Sequence, residues 1–262
     1  MLQLAFLGTG SSSSTEKNPS SFAISCSSRL VMIDFGGGAY HQLSRLNNSS
    51  FAGELISDIF LTHFHMDHVS GLPDFLWGEI WNNRGQRTNP VNIIGPRGLK
   101  EFWCNRLIPF FDREIPYTVN LHELDENDLF EDTLFSVKSV KLQHNENSTS
   151  YLFSFDGINI AFTGDTGYCP ELIDLVNSAD LAVCEWSFTE NSPSDSHLGG
   201  DEIEMLLENT DPRCSIYFTH IFPEINKNFS DLIKRREERT DPYNRNLYFP
   251  EDLFILDVKR KA

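Results

Sequence analysis

Ten short apolar runs recur along this 262-residue chain, and six of them close on a residue that apolar runs seldom carry. The runs are LQLAFLG, RLVMIDFG, DIFLTH, VNIIG, FSVKSVKLQH, TSYLFSFDG, INIAFTGD, DLAVCEW, CSIYFTH and DLFILDV. Each has the length and the β-branched or aromatic content of a strand. Their edges carry Asp34, His63, His144, Asp165, Glu185 and His220. Ionisable groups on so many strand ends predict ends that converge on one rim, where rigid elements position side chains better than free loops. Between the runs, GLPDFLWGEIWNN, PRGLKEFWCNRL, CPELIDLVNSA and GGDEIEMLLENT read as helices. Strands and helices alternate, but FDG at 155–157 is a hairpin-length turn. The pattern therefore predicts mixed sheets with helices outside, not a purely parallel sheet.

Hydrophobic residues make up 40% of the chain and no linker divides it, so one large core in a single domain over 1–262 is expected. No apolar stretch approaches the roughly 20 residues that span a bilayer. The opening MLQLAFLGTG reads as a strand entering a turn, not as a signal peptide. Five cysteines (Cys26, Cys104, Cys169, Cys184, Cys214) form no C-x-x-C pair, which suits free thiols in a reducing, cytoplasmic setting. The formal net charge is −17, and between Lys141 and Arg213 there are 14 Asp and Glu but no Lys or Arg. Extended nucleic acid is a poor partner for such a chain, because its phosphates need neutralising. That half of the chain has no cation of its own to clamp a phosphate.

The stretch LTHFHMDHVSGLPDF, residues 61–75, places His63, His65, Asp67 and His68 within six positions. At an extended strand end, residues two apart face the same way, so His63 and His65 can share one cation. Asp67 and His68 fall at the turn into the next helix and suit a second. Imidazole and carboxylate donors fit zinc, manganese or iron(II) and argue against calcium. With no thiolate in the set, an open catalytic site is expected in place of a closed structural one.

THFHMDH resembles the signature of the metallo-β-lactamase superfamily, and the likeness runs through most of the chain in order: LAFLGTGSSSS, VMIDFGGG, VKLQHNENSTSYLF, IAFTGDTG and IYFTH. The resemblance implies a four-layer αββα sandwich, two mixed sheets flanked by helices. It also implies two divalent metal ions, zinc before manganese or iron. Carried over by position, His63, His65 and His144 would hold one ion. Asp67, His68 and His220 would hold the other, Asp165 would bridge them, and Asp34 would orient a ligand imidazole.

DLAVCEWSF followed by SDSHLGGDEIEMLLENT is similar to the ribonuclease Z branch, as are LGTG and GLPDFL. On that match Glu185 and His197 form a proton-delivering pair, and Asp67 additionally orients the attacking water. The branch usually reads H-E-A-T and H-S-T where this chain has CEWS and HLGG. Its tRNA-processing members also carry a basic arm, in most bacterial forms between the third histidine and the bridging Asp. Here His144 and Asp165 are separated by a hairpin with no basic residue. THFHMDHVSG also resembles the phosphodiesterases that open cyclic phosphates, although their additional cysteine-bound zinc site has only Cys26 to stand for it.

The expectation is a dinuclear-metal phosphodiesterase for a small or accessible diester: a cyclic phosphate, a cyclic nucleotide or an RNA end. A tRNA 3′-processing endoribonuclease without its own arm, a lactonase or thioesterase on the same ions, and a non-catalytic metal-binding protein are the alternatives. A homodimer is compatible with each. Ser12 and Ser13 in the GTGSSSS turn could cradle a phosphate through backbone N–H groups. Arg84 and Arg87 are the cations nearest the cluster in sequence and the candidates for a clamp or lid. Trp77 and Trp81 read as core packing, KRREER at 234–239 as a solvated helix, and His41 and His122 as structural.

Overall fold

The computed structural model describes residues 1–81, 87–189, 192, 194–223 and 247–260. KRREER and Arg84 lie outside them. In chain order the strands and helices are β1 (Leu2–Gly8), β2 (Ser21–Cys26), β3 (Arg29–Ile33), α1 (Ala39–Arg45), β4 (Ile56–Phe60), α2 (Met66–Val69), α3 (Leu72–Trp81), β5 (Val91–Pro96), α4 (Leu99–Phe102), β6 (Val119–Leu124), β7 (Leu129–Glu131), β8 (Ser136–Val140), β9 (Ser150–Phe155), β10 (Ile158–Phe162), α5 (Pro170–Asn177), β11 (Leu181–Glu185), α6 (Gly200–Asn209), β12 (Ser215–Thr219), β13 (Leu247–Tyr248) and β14 (Phe254–Val258). They build two seven-stranded sheets, ordered β14-β1-β2-β3-β4-β5-β6 and β13-β12-β11-β10-β9-β8-β7.

Both sheets are mixed. In the first, β3 to β6 run parallel and the β14, β1 and β2 side is antiparallel. In the second, β10 to β13 run parallel and β7 to β9 antiparallel. The turn at 155–157 closes a hairpin in which Ile158 faces Phe155.

Side-chain alternation sorts the core into three layers. In β1, Leu4 and Phe6 point between the sheets, towards Phe153, Phe162 and Tyr217. Ala5 and Leu7 point outwards to a cluster that takes Leu43 from α1, Phe75 and Leu76 from α3 and Leu99 from α4. On the far side, Ala182, Cys184, Ile216 and Phe218 pack on Leu172 and Leu175 of α5 and Ile203 and Leu206 of α6. Helix, sheet, sheet, helix is the resulting order, and covering both faces of each sheet explains the nearly continuous apolar strands. Trp77 joins the α3-side cluster, but Trp81 is 59% exposed. Arg113 lies over both rings, so Trp81 is a surface residue. His41 is exposed on α1, and the His122 ring faces Phe130 on the sheet edge. Among the described residues no helix is long and apolar enough to cross a membrane.

Candidate metal centre

The parallel strands of both sheets deliver the site from their C-terminal ends, where open α/β sheets usually bind ligands. Asp34 follows β3, the His63–His68 segment follows β4, Asp165 follows β10, Glu185 ends β11 and His220 follows β12. His144 is brought in from the loop after the antiparallel strand β8. Asp34 and His220 take left-handed backbone angles (φ 53° and 58°), a cost of roughly 1–3 kcal/mol each that surrounding bonds must hold in place. Asp34 is anchored by its N–H donating to the Phe60 carbonyl (2.8 Å), and the residue after His220 donates to Thr9 O (3.1 Å). Gly164, at φ 57°, turns β10 into Asp165 with no room for a Cβ, which would stand 2.8 Å from Thr62 Cβ.

Three overlapping groups of donor atoms result, each with its atoms within 4.8 Å of one another: His63, His65, His144 and Asp165; beside them Asp67, His68 and His220; and Asp165, His197 and His220, which shares members with both. Asp165 stands between the first two. Its Oδ2 is 3.5 Å from His63 Nε2 and 3.9 Å from His144 Nε2, while its Oδ1 is 3.1 Å from His68 Nε2 and 3.4 Å from His220 Nε2. Asp67 Oδ2 is 3.3 Å from His220 Nε2. Apart from His65, whose Nδ1 faces His144 Nε2 at 3.4 Å, each imidazole is held by Nδ1. The partners are Thr62 Oγ1 for His63 (3.0 Å), Asp34 Oδ2 for His68 (2.7 Å), the Ser196 carbonyl for His144 (3.0 Å) and Ser187 Oγ for His220 (3.0 Å). Fixing Nδ1 aims Nε2 inwards, as a ligand imidazole requires.

These residues fit a pair of divalent cations. His63 Nε2, His68 Nε2 and Asp165 Oδ1 are buried and make no hydrogen bond among the described residues. Three such orphans facing one another would be costly unless something positive lay between them. The crowding of these groups shows in their acid–base balance. Burial drives the His63 imidazole well below its ordinary value. Burial works against a charged His68 as well, but the Asp165 and Asp34 carboxylates outweigh it and hold that group well above. His220 is raised too, against its burial, chiefly by Asp165 and Asp67. Burial disfavours the Asp165 carboxylate, yet His220, His68 and His63 keep it well below the usual carboxylate range.

Beside the second group, His197 Nδ1 lies 3.1 Å from Glu185 Oε1. Its ring stacks on His220 (5.6 Å between centroids, 7° between planes) and sits 5.2 Å from the His144 ring. Burial would lower the His197 value, but the hydrogen bond and charge of Glu185, with Asp165 and Asp67 behind them, push it up to about 9. Glu185 is itself buried and accepts from Ser187 Oγ and from the Leu198 N–H (3.3 Å). Ser187 thus joins Glu185 to His220, a link that sequence reading missed; its only trace there is its place two residues after Glu185.

Two of the sequence candidates are engaged within the protein. Ser12 commits its backbone N–H to Asp67 Oδ2 (3.1 Å), so at that position the serine turn braces a site carboxylate. Arg87 is buried behind α3, paired with Glu79 at 3.0 Å and bonded to the Gly53 and Ile56 carbonyls. It stabilises the outer core and cannot act as a lid or clamp.

Two seven-stranded mixed sheets under helices, with paired histidine–aspartate clusters at their shared rim, define a protein of the metallo-β-lactamase fold with a candidate metal centre. Within that class the chain belongs to the family of the Anti-Pycsar protein Apyc1, whose profile matches residues 2–233. It is also similar to ribonuclease Z of Methanosarcina mazei (strain Goe1), 31% identical over 320 aligned positions that cover 98% of each chain. That alignment is longer than this chain, so the archaeal protein carries insertions that are missing here. Ribonuclease Z of Streptococcus sanguinis (strain SK36) is 37% identical over 150 residues, 55% of this chain and 47% of that protein. The chain spans about half the length of the streptococcal relatives it matches. Among solved structures, the short form of human tRNase Z shares the fold with a TM-score of 0.74 at 22% identity, over 98% of this chain and all of that one.

Proposed function

We propose that the chain hydrolyses a small cyclic phosphodiester, a cyclic nucleotide, at this centre, with His63, His65, His144, Asp67, His68, His220 and Asp165 holding two ions, zinc first. Membership in a family that degrades cyclic nucleotides supports that substrate class. The observation that carries the reading is the Glu185–His197 pair, poised beside the two clusters with the imidazole's Nδ1 engaged. Ester cleavage at carbon has less need of such a group, whereas a departing alkoxide needs a proton. When bound, the ions supply positive charge for the non-bridging phosphate oxygens and lower the pKa of water towards ~7. That charge answers the acidity of this half of the chain. Among the described residues, the ion pairs of Asp67, Asp165 and Glu185 are all with histidine.

Asp67, fixed by Ser12 and His220, directs the attacking water. A water oxygen–phosphorus bond forms, the bond from phosphorus to the ring oxygen of the cyclic diester breaks, and His197 Nε2 gives its proton to that oxygen, while the proton that the water gives up passes to solvent, from which His197 is reprotonated. Glu185 stabilises the cationic imidazole beforehand and keeps its other nitrogen engaged. Asp34, Thr62, Ser187 and the Ser196 carbonyl hold the ligand imidazoles in register. The test is a pair of variants. His197→Ala lowers turnover of a diester with a poor leaving group about 10²–10⁴-fold and keeps its metal, while Asp165→Ala loses metal and activity together. Full activity in His197→Ala would remove the proton-delivering role.

A further inference from the structure

Lys141 is the last cation before the acidic half of the chain, and its ammonium sits in the loop that follows His144. Its Nζ donates to the carbonyl of Asn145, to the carbonyls of Glu146 (3.0 Å) and Ser148 (3.1 Å), and lies 3.1 Å from Ser148 Oγ. Three main-chain carbonyls and a hydroxyl around one positive centre is the arrangement that a bound monovalent cation would take. The Ser148 hydroxyl also donates to the Asn145 carbonyl (2.8 Å), and the next residue, Thr149, donates its N–H to Thr62 O (2.8 Å) beside His63. Burial lowers the ammonium's pKa, opposed by the charges of Glu126 and Glu146.

We infer that Lys141 is a positioning residue that serves as a built-in monovalent cation, closing the 145–148 loop so that His144 meets His63 and His65 at the first metal position. The chain of contacts is short. The Asn145 carbonyl, bonded to Lys141, belongs to the residue directly after His144, whose ring is clamped from the other side by Ser196 O. With the backbone and the ring each fixed, His144 Nε2 points at His65 and Asp165. Remove the ammonium and three main-chain carbonyls lose their shared donor, with the Ser148–Asn145 hydrogen bond left to hold the turn, so the loop opens. The inference rests on the ligand assignment proposed above.

The test is zinc titration of metal-free protein against a chromogenic chelator. Lys141→Met, which keeps the stem and loses the donors, should weaken one of the two zinc sites by roughly 10- to 100-fold, the range for residues that orient metal ligands. The other site should change little. In Lys141→Ala, propylammonium should restore most of the loss, whereas tetramethylammonium at equal ionic strength, which has no N–H, should not. Ser148→Ala, a milder change, should give a smaller loss of the same kind and shows the effect even if the lysine variants fold poorly. Equal zinc affinity in wild type, Lys141→Met and Ser148→Ala would overturn the inference, as would equal rescue by both ammonium ions. A wild-type chain that fails to take up two zinc ions would instead overturn the ligand assignment.

Discussion

Glu185 holds His197 through a 3.1 Å contact to Nδ1, which leaves Nε2 as the nitrogen free to exchange a proton with a bound ligand. The carboxylate makes the largest contribution that raises the His197 value, to about 9. Two bound cations would pull that value down, but they leave the Glu185 contribution in place.

Glu185→Gln keeps the shape of the contact and removes its charge. A general acid works only while protonated, so kcat falls as pH rises through its pKa. The alkaline limb of the kcat profile should therefore move to lower pH in Glu185→Gln, with zinc content unchanged. An unmoved limb would mean that another group supplies the proton.

Metal binding should release protons. The Asp165, Asp34 and Asp67 carboxylates hold His68 and His220 above their ordinary value, which favours the protonated imidazoles, and a ligand imidazole must give its proton up. Raising the pH from 6 to 8 weakens that competition and should tighten apparent zinc affinity. Calorimetry in two buffers of different ionisation enthalpy measures the protons released; a buffer-independent heat would contradict the assignment.

Arg87 offers a test of stability without chemistry. Its pair with Glu79 is buried on both sides, and removing one partner of such a pair costs about 3–5 kcal/mol. Arg87→Met should lower the urea midpoint by a corresponding amount, and Arg87→Met with Glu79→Met should lose less, because no lone charge is left behind. Zinc content of the folded fraction should not change in either.

Much of this arrangement is legible in the sequence, because strand-end chemistry is local along the chain. His63, His65, Asp67 and His68 lie within one turn and strand end, and the likeness to known metallohydrolases supplied His144, Asp165, His220, Glu185 and His197. What stayed hidden depends on packing. β2 escaped notice because its buried positions include Ser21 and Ser25, which read as loop. Ser21 Oγ in fact accepts from the Gly36 N–H (2.7 Å). β6 and β7 are the edge strands of the two sheets and carry no fully buried residue. Arg87 misled for the opposite reason: a polar neighbourhood in sequence, NNRGQRTNP, returns one guanidinium to the outer core. The roles of Ser187 and Ser196 depend on contacts with His220 and His144, made far along the chain.

The most direct test of the central claim is hydrolysis of a cyclic nucleoside monophosphate by the zinc-loaded chain, followed by phosphorus NMR, beside a lactone and a carboxylate ester. The cyclic diester should open to a single monophosphate ester, the reaction should stop on chelation, and the two carbon esters should be turned over far more slowly. Rapid hydrolysis of the lactone or carboxylate ester with the cyclic diester left intact would contradict the account.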